Sequence, residues 1–199
     1  MKQTSPDTPN ATSIFAANRA VGTVAFDTAL VNGVTRRRDV HEQGSLRVRF
    51  PSPETNALSS VLVNTAGGVA GGDRFAVSID AGEGTAVTLT TAAAEKIYRS
   101  DSDAAAIDVT LRVQAKAHLA WLPQETILFD QAKLSRRFDI DLAADASLLL
   151  AEIVVFGRTA MNERMTRGAY TDRWRVRRDG RLIFAETLRL DGEIGDKLA

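Results

Sequence analysis

The stretch Ile107-Asp108-Val109-Thr110-Leu111-Arg112-Val113 decides the fold class of this chain. Apolar and polar residues alternate along it, so one face of an extended strand meets a core and the other meets water. Such alternation is typical of antiparallel strands with one solvated face. The same period of two recurs at residues 46–50 and 75–79. The sequence therefore predicts a mainly β fold built from many short strands.

Turn and helix signals indicate how these strands are joined. Asn32-Gly33 and Asp179-Gly180 each lie between two apolar runs. Both pairs favour type I′ hairpin turns, which need positive φ at the two central residues. Helix signal is sparse, and residues 92–98 and 161–167 are expected to form a turn or two of helix each. No internal repeat at a fixed period is evident.

We predict a single β-rich domain over residues 19–199. Residues 1–18 are rich in Ser, Thr, Pro and Asn and are predicted to form a flexible leader. No apolar run approaches the ~20 residues that span a membrane. The start of the chain also lacks the apolar stretch of a signal peptide. We therefore expect a cytoplasmic protein that has no membrane partner.

The composition excludes several kinds of site. The 25 Lys and Arg residues balance 25 Asp and Glu residues. This balance argues against a nucleic-acid partner, because phosphate contacts need an excess of cations on one face. The chain has no cysteine, which excludes disulfides, thiolate zinc sites and cysteine catalysis. The two histidines, His41 and His118, cannot build a multi-histidine metal site within one chain.

The glycine-rich segment at residues 66–73 has two possible interpretations. Gly67 and Gly72 have the spacing of a phosphate-binding loop, but that motif then needs a lysine and a hydroxyl residue. Asp73 and Arg74 stand there instead, and a carboxylate at this place repels phosphate. The alternative is a tight turn, with glycines at positive φ or where two backbones approach closely.

Carboxylates at Glu125, Asp130 and Glu152 leave a hydrolase as an alternative function. A retaining glycosidase needs two carboxyl groups about 5 Å apart, a distance that sequence spacing does not fix. The structural alternative is a buried strand that ends at Trp121, followed by a bend that begins at Pro123.

Three arginine runs and His118 are interpreted structurally. The runs at 36–38, 136–137 and 175–178 are expected to be solvated strand faces, and only secondarily docking surfaces for an acidic partner. His118 is expected to be a structural histidine rather than a catalyst.

Four segments taken together resemble the UreD (UreH) family of urease accessory proteins. Their order and spacing match that family, and the resemblance runs from about Gly22 to the end: residues 64–74, 95–100, 121–130 and 152–161. The motif residues are Gly67, Gly68, Gly71, Gly72, Lys96, Tyr98, Trp121, Pro123, Gln124, Glu125, Gly157 and Arg158.

The chain departs from the family in two ways. Many members begin the glycine segment with His-Pro-Pro, whereas Asn64, Thr65 and Ala66 stand here. A role for that histidine in touching nickel therefore cannot apply. Members also generally continue past the equivalent of Ala199, so the chain is expected to be a shortened or fragmentary member.

The resemblance implies a stacked, superhelical β scaffold with one or two short helices. It also implies a chaperone that is not an enzyme and that acts with UreF-type and UreG-type accessory proteins on apo-urease. Nickel would be in transit, with no tightly bound cofactor. A β-rich interaction module with no metal role remains a further alternative.

A polar internal channel has been proposed as the family's nickel route. The matching positions here are Asp73, Glu95, Glu152 and Glu186. Single carboxylates would hold nickel weakly, as a transit path requires, because a conduction route must release what it binds. The structural alternatives stay open: Asp73 can cap the glycine turn, and Glu152 and Glu186 can lie on exposed strand faces.

Overall fold

The computed structural model describes residues 19–52 and 55–198, with only the main chain of Thr159. The predicted leader, residues 1–18, lies outside the described residues. Within the described residues, two short 3-10 helices occur, at Thr159–Met161 and Gly195–Lys197. The strands are β1 (Val21–Val31), β2 (Val34–Gly44), β3 (Leu46–Arg49), β4 (Leu58–Asn64), β5 (Arg74–Ala81), β6 (Ala86–Thr91), β7 (Glu95–Ile97), β8 (Ala105–Val113), β9 (His118–Trp121), β10 (Thr126–Leu128), β11 (Lys133–Leu142), β12 (Ser147–Leu150), β13 (Val154–Phe156), β14 (Arg167–Arg178) and β15 (Arg181–Glu193).

The strands form three sheets. The seven-stranded sheet has the order β15-β14-β11-β8-β5-β1-β2, the five-stranded sheet β12-β9-β6-β4-β3, and the three-stranded sheet β13-β10-β7. Each run of three consecutive strands, starting at β5, β8 and β11, visits the seven-, five- and three-stranded sheets in that order. The chain thus winds as a β-solenoid of three complete coils. This architecture confirms the predicted stacked, mainly β scaffold.

Most of the strand pairs are parallel, so the prediction of antiparallel strands is wrong for the body of the fold. In the seven-stranded sheet β1, β5, β8, β11 and β14 pair in parallel. Each coil returns to a sheet only after passing through the other two, so successive strands in one sheet run the same way. The period of two survives because the outer face of the seven-stranded sheet meets water instead of a layer of helices.

The two predicted hairpins are confirmed. β1 and β2 pair antiparallel across Asn32-Gly33, and β14 and β15 pair across Asp179-Gly180. The four turn residues have φ between 48° and 76°, as a type I′ turn requires. A third antiparallel pair joins β3 to β4.

The helix expected at residues 92–98 is absent. Residues 95–97 form β7 instead, in parallel with β10. The local run of alanines favours a helix, but the main-chain N–H and C=O groups of β7 bond to the neighbouring coil, and this pairing overrides the propensity. The helix expected at 161–167 shrinks to the 3-10 turn at Thr159–Met161.

One hydrophobic cluster draws on all three sheets, so the coils share a single core. Val77 and Phe138 come from the seven-stranded sheet, Leu89 and Trp121 from the five-stranded sheet, and Leu128 from the three-stranded sheet. At the far edge of the seven-stranded sheet, β15 is exposed along nearly its whole length. None of the helices in the described part of the chain is long and apolar enough to cross a membrane.

Two columns of loops run along the solenoid. Corner A is the column that leads from the five- to the three-stranded sheet: residues 65–68, 92–94, 122–125 and 151–153. Corner B is the column that leads from the three- to the seven-stranded sheet: residues 70–73, 98–104, 129–132 and 157–166. Val69, which bridges in parallel to Ile97, separates the first members of the two columns. The four family-like segments all fall on these columns and so stack on one another.

Candidate functional site

A partly open cavity of about 70 Å³ lies between the sheets beneath corner A. Its wall is mostly apolar, but six polar side chains from successive coils reach it: Thr91, Glu95, Gln124, Thr126, Arg136 and Glu152. The volume has room for a few water molecules. The cavity therefore runs from the first coil to the third, with these polar side chains set in an apolar wall.

Glu95, at the start of β7, lies between this cavity and the outside. A surface pocket of about 300 Å³ is lined by Asn64, Gly67, Gly68 and Lys96 among others. Leu62, Thr91 and Glu95 line both the pocket and the cavity. Glu95 thus lies between the cavity and this surface pocket.

The carboxylate of Glu95 is bound by one side chain, the neutral amide of Asn64, through two long hydrogen bonds. The amide Nδ2 of Asn64 donates to both of its oxygens, at 3.2 Å each. Burial raises the pKa of Glu95, although the Asn64 amide, the Lys96 main-chain N–H and the Lys96 charge act in the opposite direction. A carboxylate in this state gains from the arrival of a cation, because the cation compensates the cost of its charge.

At the other end of the cavity, Arg136 and Glu152 belong to a buried network. The guanidinium of Arg136 donates to both oxygens of Asp172, with Nε at 3.1 Å and Nη2 at 2.6 Å. Its Nη2 also donates to the Tyr170 hydroxyl at 2.9 Å, and its Nη1 donates to Glu152 Oε2. The indole Nε1 of Trp121 donates to Glu152 Oε1 at 2.7 Å.

One guanidinium cannot neutralise two buried carboxylates. Burial alone would lower the pKa of Arg136, but the bond to Asp172 and the charge of Glu152 raise it above its ordinary value, which keeps the guanidinium charged. Burial raises the pKa of Glu152 despite the attraction of Arg136. With both carboxylates charged, the inner end of the cavity keeps one negative charge that Arg136 does not compensate.

Asp73, in corner B, has different surroundings. Its Oδ1 accepts the main-chain N–H of Ala20 at 2.8 Å, and its Oδ2 accepts that of Ala70 at 2.7 Å. Its own N–H closes the turn onto the carbonyl of Ala70 at 3.0 Å. Gly72, in that turn, has a φ of +85°. The glycine segment is thus the tight turn of the second interpretation, and Asp73 ties it to the chain before β1.

The structure brings two of the four predicted route residues together. Glu95 and Glu152 line the same cavity, whereas Asp73 is buried in corner B and Glu186 is exposed on β15. Within residues 19–52 and 55–198, no three His, Asp or Glu side chains gather as a metal site would require. The nickel route itself stays a prediction.

Several motif residues stack in corner B, where their role is structural. The ring of Tyr98 packs edge-on against Phe129, with centroids 5.2 Å apart, and its hydroxyl donates to the carbonyl of Gly67 at 2.8 Å. The guanidinium of Arg158 lies 4.1 Å from the centroid of Phe129 and bonds to Glu163. A side chain on Gly68 would collide with the Tyr98 ring.

The remaining motif residues serve the same stacking. Gly157 has a φ of +85°, and a Cβ there would meet the carbonyl of Glu163. A Cβ on Gly71 would meet Ser100. Pro123 lines the cavity beside the exposed Gln124, whose N–H bonds Thr91. The main-chain carbonyl of Glu125 accepts the N–H of Glu95 at 2.9 Å, and that of Lys96 accepts the N–H of Val69 at 2.8 Å.

The three carboxylates of the hydrolase alternative lie in separate surroundings. Asp130 Oδ1 accepts the N–H groups of Thr166 and Arg167, at 2.7 and 3.1 Å. Glu152 is held by Trp121 and Arg136, and Glu125 contributes its main chain to corner A. His118 is exposed and pairs with Ser147 on the five-stranded sheet. Asp130 and Glu152 therefore already have structural partners.

The sequence reasoning was wrong about Arg136. It was expected on a solvated strand face, yet only 4% of the residue is exposed. Its neighbour Arg137 does face solvent. The signal was present in the alternation of β11, where Leu134, Phe138 and Ile140 all point inward. Arg136 has the same parity and therefore had to point inward too. The same parity on β14 places Tyr170 and Asp172 inside.

Comparison with known proteins gives the family. The model of the family described as UreD urease accessory protein matches residues 20–199. A urease accessory protein UreD of Rhodopseudomonas palustris strain BisA53 is 69% identical over 187 residues, covering 94% of this chain and 65% of the relative. Urease accessory protein UreD 3 of Bradyrhizobium sp. strain BTAi1 is 67% identical over 189 residues, covering 95% and 68%.

The chain spans about two thirds of the length of the curated relatives it matches. The family match nevertheless includes all three coils, both hairpins and the cavity. The names of these relatives describe accessory proteins of urease and not enzymes. The chain belongs to the UreD urease accessory protein family.

Proposed function

We propose that this chain is a non-enzymatic scaffold for the maturation of urease, through which nickel passes on its way to the active site of apo-urease. The observation that carries the proposal is the cavity beneath corner A, with Glu95 at its solvent end and Glu152 at its inner end. The family supports the urease role. The cavity supports a passage for a cation.

The electrostatics of the cavity favour a cation over an anion. Two carboxylates, those of Glu95 and Glu152, line the cavity together with one guanidinium, that of Arg136, which is also paired with Asp172 outside the lining. Burial raises the pKa of both glutamates, so each would be stabilised in its charged form by a cation nearby.

Weak binding suits transit. Nickel prefers imidazole and thiolate ligands, which would retain it. The chain has no cysteine and two histidines, and neither histidine lines the cavity. Single carboxylates bind the ion and release it again, as passage requires. The scaffold would act in the cytoplasm, in a complex with UreF-type and UreG-type accessory proteins docked on apo-urease.

The test replaces the two cavity carboxylates without changing their size. We expect Glu95→Gln combined with Glu152→Gln to lower the nickel content and activity of co-produced urease, while pull-down of the accessory complex persists. Glu83→Gln is the matched control, because the Glu83 side chain is 71% exposed and lies away from the cavity. Normal nickel loading by the double variant would overturn the proposal.

A further inference from the structure

Two carboxylates line the cavity, but they differ in what already occupies them. Both oxygens of Glu152 accept strong donors: the indole N–H of Trp121 at 2.7 Å and the guanidinium of Arg136. Among the described residues, the side-chain partner of the Glu95 carboxylate is one neutral amide, that of Asn64, shared over both oxygens at 3.2 Å. The amide can be displaced by a cation at lower cost than a paired guanidinium.

Arg136 is anchored and cannot simply swing away from Glu152. Asp172 holds it through two nitrogens, at 2.6 and 3.1 Å, and the Tyr170 hydroxyl accepts from it at 2.9 Å. That hydroxyl in turn donates to Asp172 at 2.9 Å. The guanidinium also lies 5.3 Å from the ring centroid of Phe138. Four side chains thus fix the position of one positive charge at the inner end of the cavity.

We propose that Arg136 acts as a tethered cation that occupies Glu152, and so makes Glu95 the carboxylate that binds a divalent cation in the chain on its own. A free cation at Glu152 would have to displace the Arg136 guanidinium or the Trp121 indole N–H from the carboxylate oxygens. Among the described residues no guanidinium bonds to Glu95, and the cation whose charge acts on its carboxylate is Lys96, an exposed side chain outside the cavity wall. The inference rests on the proposed function only in taking the cavity as a place for a cation.

The first test compares two isosteric substitutions by calorimetric titration of the purified chain with nickel chloride at neutral pH. We expect Glu95→Gln to weaken binding by about tenfold, or ~1.4 kcal/mol, and Glu152→Gln to weaken it clearly less, because the Glu152 carboxylate is already paired with Arg136. Both variants replace a carboxylate by an amide of the same shape, so both are expected to fold. An equal loss in the two variants, or a loss confined to Glu152→Gln, would overturn the proposal.

The second test removes the tethered charge. We expect Arg136→Gln to strengthen nickel binding by about tenfold or more, and Arg136→Gln with Glu152→Gln to lose that gain. Arg137→Gln is the matched control, since this neighbour faces solvent and pairs with Asp108 at 2.9 Å. If near-ultraviolet circular dichroism shows that Arg136→Gln is unfolded, the pair of glutamate variants decides. Absence of nickel binding in both the wild-type chain and a folded Arg136→Gln variant would also overturn the proposal.

These titrations are distinguishable from the test of urease maturation. Binding to the isolated chain that does not depend on Glu95, together with failed maturation by the double glutamine variant, would refute the role of Arg136 and leave nickel passage standing. The reverse pattern, Glu95-dependent binding with normal maturation, would refute the passage alone.

Discussion

Corner A and corner B are neighbouring columns of the same solenoid, yet their carboxylates have different kinds of partner. In corner B, Asp73 and Asp130 accept main-chain N–H groups from other segments of the chain. Beneath corner A, Glu152 and the neighbouring Glu95 accept from side chains, Glu95 also from the Lys96 main-chain N–H, and both line a cavity. A carboxylate that satisfies main-chain donors fixes the path of the backbone, whereas one with side-chain partners can exchange them. The comparison assigns corner B to the fold and corner A to binding.

The largest loss of stability should come from removing the positive charge of Arg136, which pairs with Glu152 beneath corner A. Arg136→Leu leaves Glu152 and Asp172 buried without their cation, and breaking such a pair costs about 3–5 kcal/mol in free energy of unfolding. Urea denaturation measures it. The control, Arg137→Leu, removes an arginine whose side chain is 48% exposed, and surface ion pairs contribute about 0–1 kcal/mol. Similar losses in the two variants would mean that the buried network around Arg136 stabilises the fold no more than a surface ion pair does.

The next effect concerns Asp73 in corner B. Asp73→Asn replaces one of the two acceptor oxygens that bind Ala20 and Ala70, and a hydrogen bond to a charged group is worth about 1.5–3 kcal/mol. We expect a loss of ~2 kcal/mol in the free energy of unfolding. Asp103→Asn, at an exposed position in the same column, should change it little. If Asp73→Asn were as stable as the wild type, corner B would not hold the glycine turn.

A smaller, pH-dependent effect is expected at Asp130. Burial alone would raise the pKa of Asp130, but the bonds from Arg167 and Thr166 lower it below the ordinary value of 3.8. A lowered carboxyl pKa contributes stability above the unfolded value and loses it as the pH falls through the folded value. Asp130→Asn should therefore cost about 1 kcal/mol near neutral pH.

The pH dependence of that difference is the sharper observation. Thermal unfolding at several pH values should show the wild type and Asp130→Asn converging once the pH falls below about 3.8. A stability difference that stays constant to lower pH would show that the charge of Asp130 does not act through these bonds.

The smallest effect on stability should be that of Glu95→Gln. Burial raises the pKa of Glu95 above 4.5, so its charge costs free energy in the folded state. The protonated carboxyl of Glu95 contributes stability that is fully present below the unfolded pKa and is lost as the pH rises through the folded pKa. At neutral pH the amide should therefore leave the free energy of unfolding within about 0.5 kcal/mol of wild type or raise it. A large loss of stability would show that Glu95 holds the backbone in place, as Asp73 and Asp130 do in corner B.

Local patterns predicted the strands and hairpins but not how the coils stack. Alternation in Ile107–Val113 depends on one strand alone, and the Asn32-Gly33 turn on its own φ preference, so each could be read from the sequence. Strand direction depends on where the chain returns after two other sheets. The first strands of the coils begin at residues 74, 105 and 133, and this uneven spacing hides the repeat. The family-like segments, by contrast, include residues of both corner A and corner B.

The candidate site was predictable only in part. Glu95 and Glu152 were identified through the family-like segments, but nothing in their spacing of 57 positions shows that they share a cavity. Arg136, the partner of Glu152, was expected at the surface because two adjacent arginines suggest a solvated face. Only its parity with Leu134 and Phe138 distinguishes it from Arg137. Asn64 was noted only as a departure from the family, and its amide is the group that holds Glu95.

The most direct measurement of the central claim is the position of nickel itself. Crystals of the chain in its accessory complex, soaked with nickel chloride, would be measured on both sides of the nickel absorption edge. The account predicts an anomalous peak at the carboxylate of Glu95, beside Asn64 at the edge of corner A, that disappears in Glu95→Gln. A peak at Asp73 or Asp130 in corner B, or one at Glu95 that persists in the glutamine variant, would contradict it.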